Sequence, residues 1–225
     1  MFLFYQIWVI YITFIKILIF NTIRLNYIMK TVILAGGYGS RIPEYTDKIP
    51  KPMIKVGGVP LLTHIMRLFK SYGYNEFLIA AGYKKQIIKN YYKNSSEFKN
   101  LKIVDTGKFT MTGGRILKLK KYFKKNELFF MTYGDGLCDI NLNNLEKFHK
   151  RHKNIASVTA VHPPVRFGEL KIKNNKIIKF DEKPELKSSW INGGFFILNY
   201  KIFEYIKNDK TVFEKFPLEK LAINK

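Results

Sequence analysis

With a single cysteine, Cys138, this 225-residue chain can close no internal disulfide, and a reducing compartment suits it. It is also short of arginine. Only six of its 39 basic residues are arginine and 33 are lysine, against 17 acids, for a formal charge of +22. Nucleic-acid readers carry arginine at base edges, a recognisable motif or a basic stripe. Here the lysines are spread through the chain, so no nucleic-acid partner is expected; the charge reads as a solvated surface with a general attraction for anions. The four histidines, His64, His149, His152 and His162, lack metal-ligand spacing, and no Ser/His/Asp grouping stands out for nucleophilic catalysis. Internal repeats and low-complexity linkers are absent too. What is present, 47% hydrophobic and 16% aromatic residues, excludes disorder as the main state and suffices for one sizeable core.

The one long apolar run is residues 1–20, MFLFYQIWVIYITFIKILIF, broken only by Gln6, Thr13 and Lys16. As a helix, about 20 residues span a bilayer core. Arg24 and Lys30 on its C-terminal side would leave the rest of the chain cytoplasmic. No basic segment precedes the run and no small-residue cleavage site closes it, which argues against a signal peptide. Met29 stands immediately before the first strand pattern, so three readings of residues 1–28 remain: a misassigned start, a membrane anchor, or a buried accessory segment. The domain proper is residues 29–225.

From Met29 onward apolar runs alternate with amphipathic ones. Strands are predicted at Val32–Leu34, Phe77–Ala81, Leu101–Val104, Leu128–Thr132 and Ala156–Val161. Between them Leu61, Leu62, Ile65, Met66, Leu68 and Phe69 trace one helical face; Ile87, Ile88 and Tyr91 trace another; Leu142, Leu145 and Phe148 a third. This alternation predicts a mostly parallel sheet with helices on both faces. A hairpin is expected where Leu170–Lys173 and Ile177–Phe180 flank Asn174-Asn175-Lys176.

The stretch V-I-L-A-G-G-Y-G-S-R-I-P-E-Y-T-D-K-I-P-K-P-M, Val32 to Met53, carries most of the chemistry. Its apolar run feeds Gly36-Gly37-Tyr38-Gly39, where backbone N–H groups can crowd an oxyanion, and Arg41 and Lys51 follow. No G-K-[ST] follows the turn, and Gly37-x-Gly39 lacks the third glycine of a dinucleotide fingerprint; both a P-loop and a dinucleotide site are excluded. Tyr133-Gly134-Asp135-Gly136 ends the fourth strand with a lone carboxylate that suits Mg²⁺ beside phosphates, or an ordinary Asp-Gly turn. In open α/β sheets ligands sit at the carboxyl ends of strands, so the two motifs should face one cleft. Glu182-Lys183-Pro184 and Asn192-Gly193-Gly194 suit either a polyhydroxylated ligand or plain turns, and Arg115 follows Met111-Thr112-Gly113-Gly114.

Taken in order, L-A-G-G-Y-G-S-R, P-K-P-M, Y-G-D-G, E-K-P and N-G-G resemble the sugar-1-phosphate nucleotidylyltransferases. Val104-Asp105-Thr106-Gly107, Met111–Arg115, Arg166-Phe167-Gly168 and Ile191–Phe196 narrow the resemblance to the branch that transfers cytidylyl from CTP to glucose 1-phosphate. It implies a Rossmann-like three-layer α/β/α fold with a mostly parallel mixed sheet and a small sugar-binding β-hairpin. It also implies an enzyme that forms CDP-glucose and pyrophosphate with Mg²⁺ as cofactor, in the cytoplasm, as a homo-oligomer feeding surface-polysaccharide (O-antigen) synthesis. By the same resemblance Leu34, Ala35, Gly36, Gly37, Gly39, Ser40, Thr112, Gly113 and Arg115 would bind nucleotide, with Arg115 near the cytosine. Arg41 would neutralise the departing phosphates and Lys51 would hold the α-phosphate. Asp135 would bind the metal, Lys183 the sugar phosphate, and Gly168, Glu182, Asn192 and Gly193 the hexose.

Three departures stand out. Only Lys93–Asn100 intervene where the family has a longer excursion, which touches subunit arrangement. Ile49 replaces a lysine before Pro50. A second metal-binding aspartate that the family carries beyond the position of Leu218 has no counterpart in the residues here, so impaired turnover is expected. The alternatives are a relative using UTP, dTTP or GTP, and a non-catalytic, membrane-tethered nucleotide binder.

Overall fold

The structure, a computed structural model, describes residues 29–40, 42–163, 168–182 and 189–223. The expectations for residues 1–28, Arg41, Arg166-Phe167 and Lys183 lie outside them. Along the chain come β1 (Lys30–Ala35), α1 (Pro43–Thr46), β2 (Lys55–Val56), β3 (Val59–Pro60), α2 (Leu61–Ser71), β4 (Phe77–Ala81), α3 (Lys85–Tyr92) and β5 (Leu101–Asp105). Then follow α4 (Thr112–Lys118), β6 (Leu128–Tyr133), α5 (Leu142–His152), β7 (Ala156–Val161), β8 (Glu169–Lys173), β9 (Lys176–Asp181), β10 (Ile191–Asn199) and α6 (Phe216–Ile223).

Six strands form one sheet in the order β5-β4-β1-β6-β10-β7. β1 runs parallel to β4 and β6, β4 runs parallel to β5, and only β10 runs against its neighbours β6 and β7. Successive side chains of a strand point to opposite faces, and both faces are covered here, which is why β4 is apolar and buried at all five positions. Ile33 and Ala35 pack with Leu62, Ile65, Met66 and Phe69 of α2, Ile88 and Tyr92 of α3, and Leu142 and Leu145 of α5. Val32 and Leu34 pack with Ile116, Leu119, Phe123, Ile202, Phe203 and Phe213 on the other face. These are the three layers expected from the sequence. Hairpin β8–β9 stands apart from that sheet, and Asn174 and Asn175 turn it at φ +48° and +58°. Among the described residues no helix is long and apolar enough to cross a membrane.

Two helical faces differ from the sequence expectation. In α3 the buried pair is Ile88 and Tyr92, four apart, while Tyr91 is exposed; the Tyr92 hydroxyl is satisfied inside by Thr63 Oγ1 at 2.6 Å. In α5 Phe148 is 59% exposed and His149 is buried instead, its Nδ1 2.9 Å from Ser157 Oγ. A hydrogen-bonded polar ring can replace an apolar one at a core position.

Burial, and then the neighbouring His152, push the His149 imidazole down to about 4. Unfolded, the ring titrates near 6.5, so between these values the unfolded chain binds the extra proton. The stabilisation from a neutral His149 is complete above about pH 6.5 and is lost as pH falls toward 4, a change on the order of 3 kcal/mol. Thermal melts of the wild type and His149→Gln from pH 7 to pH 5 should show the wild type losing several degrees more than the variant. Parallel losses would exclude His149 as the source.

Candidate active site

β1 delivers the chain into the glycine turn at the carboxyl end of the sheet. The Gly36 carbonyl accepts from the Tyr83 amide at 3.1 Å and from Arg115 Nη2 at 2.8 Å. A Cβ on Gly36 would lie 2.2 Å from Arg115 Nη1, so only glycine allows this approach. Gly39 adopts φ +70°, and its carbonyl accepts from the Ile42 amide and the Thr46 hydroxyl, each at 3.1 Å. Among the described residues the amides of Gly37, Tyr38, Gly39 and Ser40 have no acceptor. They form a row of donors of the kind that holds phosphate oxygens.

The second wall is built by proline on glycine. Gly134 donates its amide to Leu34 O at 2.9 Å, and a Cβ there would meet Pro52 Cγ at 2.8 Å. This close packing brings Lys51 to the end of β6, where its Nζ pairs with Asp135 Oδ2 at 2.5 Å. The two side chains keep 31% and 36% of their surface exposed, so both remain reachable by a ligand.

Behind β5 lies a buried hydrogen-bond knot. Thr106 donates its amide and hydroxyl to Ala81 O, and Arg115 Nη1 donates to Thr106 Oγ1 and Gly107 O at 2.7 and 2.8 Å. Lys85 and the Gly107 amide hold the Asp105 carboxyl below its ordinary range. Arg115 is only 4% exposed, and burial lowers its pKa. The sequence placed Arg115 near the cytosine; the structure engages its terminal nitrogens with Gly36, Thr106 and Gly107. It therefore ties the glycine turn to the loop after β5 while still lining the cleft.

These walls enclose a cleft of about 530 Å³. Ten expected residues line it: Leu34, Ala35, Gly36, Gly37, Gly39, Ser40, Lys51, Thr112, Arg115 and Asp135. Gly113 does not. With Gly114 it packs under segment 208–214, where a Cβ would meet Thr211 O at 2.8 Å or Asp209 Cα at 2.5 Å. The glycine pair thus lets that segment close on α4.

Beyond the residues given a role, the lining adds Tyr38, Pro52, Lys108, Phe109, Thr110, Met111, Tyr133 and Gly134. Tyr38, Pro52, Met111, Tyr133 and Gly134 stand inside motifs that the sequence singles out, whereas Lys108, Phe109 and Thr110 offer no signal.

Gly168, Glu182, Asn192 and Gly193 lie outside the cleft lining. Gly168 and Glu182 are neighbours, since a Cβ on Gly168 would stand 3.1 Å from Glu182 Oε2. Gly193 packs on Thr159 and Val161, while Asn192 accepts from the Gly194 amide at 2.8 Å, and a Cβ on Gly194 would stand 3.1 Å from Tyr133 Cδ2. Tyr133 is the link between the two regions. Its hydroxyl donates to Glu214 Oε1 at 2.5 Å, and Thr112 donates to Glu214 Oε2 at 2.6 Å. Burial, then the Glu214 carboxylate, push the Tyr133 hydroxyl well above its ordinary value and keep it a donor. Glu214→Ala removes the acceptor of both hydroxyl protons, and urea unfolding should register a loss of about 2–3 kcal/mol. An unchanged midpoint would show that the two bonds contribute nothing net.

A strand-end glycine turn, a lysine–aspartate pair and a cleft across a mostly parallel sheet make a nucleotide-handling site. The family model described as Nucleotidyl transferase matches residues 30–222. The glucose-1-phosphate cytidylyltransferase of Salmonella typhimurium is 41% identical over 216 residues, covering 86% of this chain and 84% of that protein. The probable glucose-1-phosphate cytidylyltransferase of Bacillus subtilis is 40% identical with the same coverage. The crystal structure of HddC from Yersinia pseudotuberculosis complexed with GMP-PN superposes with a TM-score of 0.68 at 27% identity, over 85% of this chain and 86% of that one. The matched span holds the glycine turn, Lys51, the Arg115 knot and Asp135 together, and the chain accordingly belongs to the nucleotidyl transferase family.

Proposed function

We propose that this chain transfers a cytidylyl group from CTP to α-D-glucose 1-phosphate, forming CDP-glucose and pyrophosphate. The observation that carries the reading is the meeting of Lys51 and Asp135 at a cleft lined by loop residues whose amides have no acceptor among the described residues. The names of the Salmonella and Bacillus relatives support the choice of nucleotide and sugar. In such a transfer a phosphate oxygen of the sugar attacks the α-phosphorus in line with departing pyrophosphate, and catalysis is mostly positioning and charge stabilisation.

Each residue then has a task. The amides from Gly37 to Ser40 hold the triphosphate, and Lys51 exchanges its bond to Asp135 for one to the α-phosphate. Arg41 neutralises the departing phosphates and Lys183 holds the sugar phosphate, as the family pattern implies. Gly168, Glu182, Asn192 and Gly193 take the hexose, with Tyr133 joining that side to the nucleotide cleft. Mg²⁺ fits the donor set. The partly exposed Asp135 carboxylate lines the same cleft as the glycine turn. Such an ion is commonly held by one or two carboxylates together with substrate phosphates. Bound there, it would neutralise charge on the phosphoryl oxygens. A cytoplasmic homo-oligomer completes the reading, and sedimentation equilibrium tests the assembly.

The test is pyrophosphate release from CTP and glucose 1-phosphate with Mg²⁺, with CDP-glucose identified by chromatography. Release that needs both substrates supports the assignment. Release independent of the sugar phosphate, or faster with UTP, dTTP or GTP, overturns it.

A further inference from the structure

We infer that Tyr38 and Phe109 form an aromatic clamp for the nucleobase, an inference that rests on reading the cleft as the triphosphate site. Both rings line the cleft, Tyr38 from the glycine turn and Phe109 from the loop between β5 and α4. Their centroids are 6.4 Å apart with planes inclined at 41°. A flat ring needs roughly 3.5 Å on each of its faces, so a modest swing of Phe109 admits one base between the two.

The jaws are unequal, as a clamp requires. Tyr38 is backed by Tyr83 at 4.9 Å, and the Tyr83 amide is bonded to Gly36 O; that jaw is fixed to the turn. Phe109 is the moving jaw. It is 80% exposed, and a phenyl ring left so open to water gains by being covered. Lys108 Nζ lies 5.9 Å from the Tyr38 ring and 5.5 Å from the Phe109 ring, which places a cation at the mouth of the same slot, able to follow an incoming triphosphate.

The buried state of Arg115 sharpens the inference. Its terminal nitrogens are engaged by Gly36, Thr106 and Gly107, so they are not free to read a base edge. Stacking on ring faces then holds the base without reading its edge, and stacking tolerates every base.

The test measures binding of CTP, UTP, GTP and inorganic tripolyphosphate to the full chain by calorimetry. Phe109→Ala should weaken all three nucleotides about tenfold, within the range that base–aromatic stacking supports, and leave tripolyphosphate within about twofold. Phe109→Tyr should restore the nucleotides. Nucleotide affinity unchanged in Phe109→Ala overturns the clamp, and so does a matching loss for tripolyphosphate. A wild-type chain that binds none of the four ligands overturns the triphosphate reading beneath it, and the clamp with it.

Discussion

Asp135→Asn is expected to cut CDP-glucose formation by about 10²–10³ while making metal-free CTP bind more tightly. The two halves of that expectation come from one contact. In the structure Asp135 and Lys51 neutralise each other across 2.5 Å at the cleft. A triphosphate arriving alone must take Lys51 away from Asp135 and then lie beside the bare carboxylate. Asparagine keeps the shape, removes the repulsion and leaves Lys51 unpaired, so binding in chelator improves. With Mg²⁺ present the order reverses, because the protein has lost the oxygen that would anchor the ion against the phosphates. Lys51→Met should instead weaken binding with and without metal. Calorimetry in chelator and in Mg²⁺, beside product chromatography, distinguishes the two variants. Full Mg²⁺-stimulated turnover in Asp135→Asn would remove Asp135 from the reaction.

Arg115→Met carries the largest expected stability effect, about 3–5 kcal/mol, against a total of roughly 5–15 kcal/mol for an ordinary domain. The substitution strips donors from Gly36 O, Gly107 O and the Thr106 hydroxyl, and it unties two loops that form opposite walls of the cleft. Affinity for CTP should fall with stability for that reason. Gly36→Ala attacks the same contact from the other side, since its Cβ would strike the guanidinium. A double variant removes both the donor and the obstacle to the new methyl group, so its loss should be smaller than the sum of the single losses. Strict additivity in urea unfolding would refute this account of the knot.

The central strands were legible because a strand covered on both faces must be apolar throughout, as Phe77–Ala81 is. The hairpin was legible because two asparagines tolerate positive φ at its turn. Apolar periodicity found α3 and α5, yet it misplaced a buried side chain in each. Tyr92 and His149 are inside only because Thr63 and Ser157 satisfy them, and those partners are distant or irregular in sequence. At the site, the short motifs located the turn, Lys51 and Asp135 correctly around one cleft. They could not show that Arg115 faces inward, because its partners are loop carbonyls and a hydroxyl, and one of them lies 79 residues away. Phe109 carried no signal at all. An aromatic in a loop is ordinary until its distance to Tyr38 is known.

Segment 208–214 has a consequence for synthesis. Glu214 joins Tyr133 and Thr112 from 81 and 102 residues downstream, and the Asp209 and Thr211 carbonyls accept from the start of α4. Contacts of such sequence separation form late, after long loops have closed. As the chain leaves the ribosome, the glycine turn, Lys51 and Asp135 emerge first and can assemble with their strands. The wall bearing Thr112 and Tyr133 is braced only once Glu214 has emerged. A nascent chain therefore passes through a stage in which the phosphate cradle exists and the completed cleft does not, and nucleotide capture should begin abruptly once Glu214 has emerged.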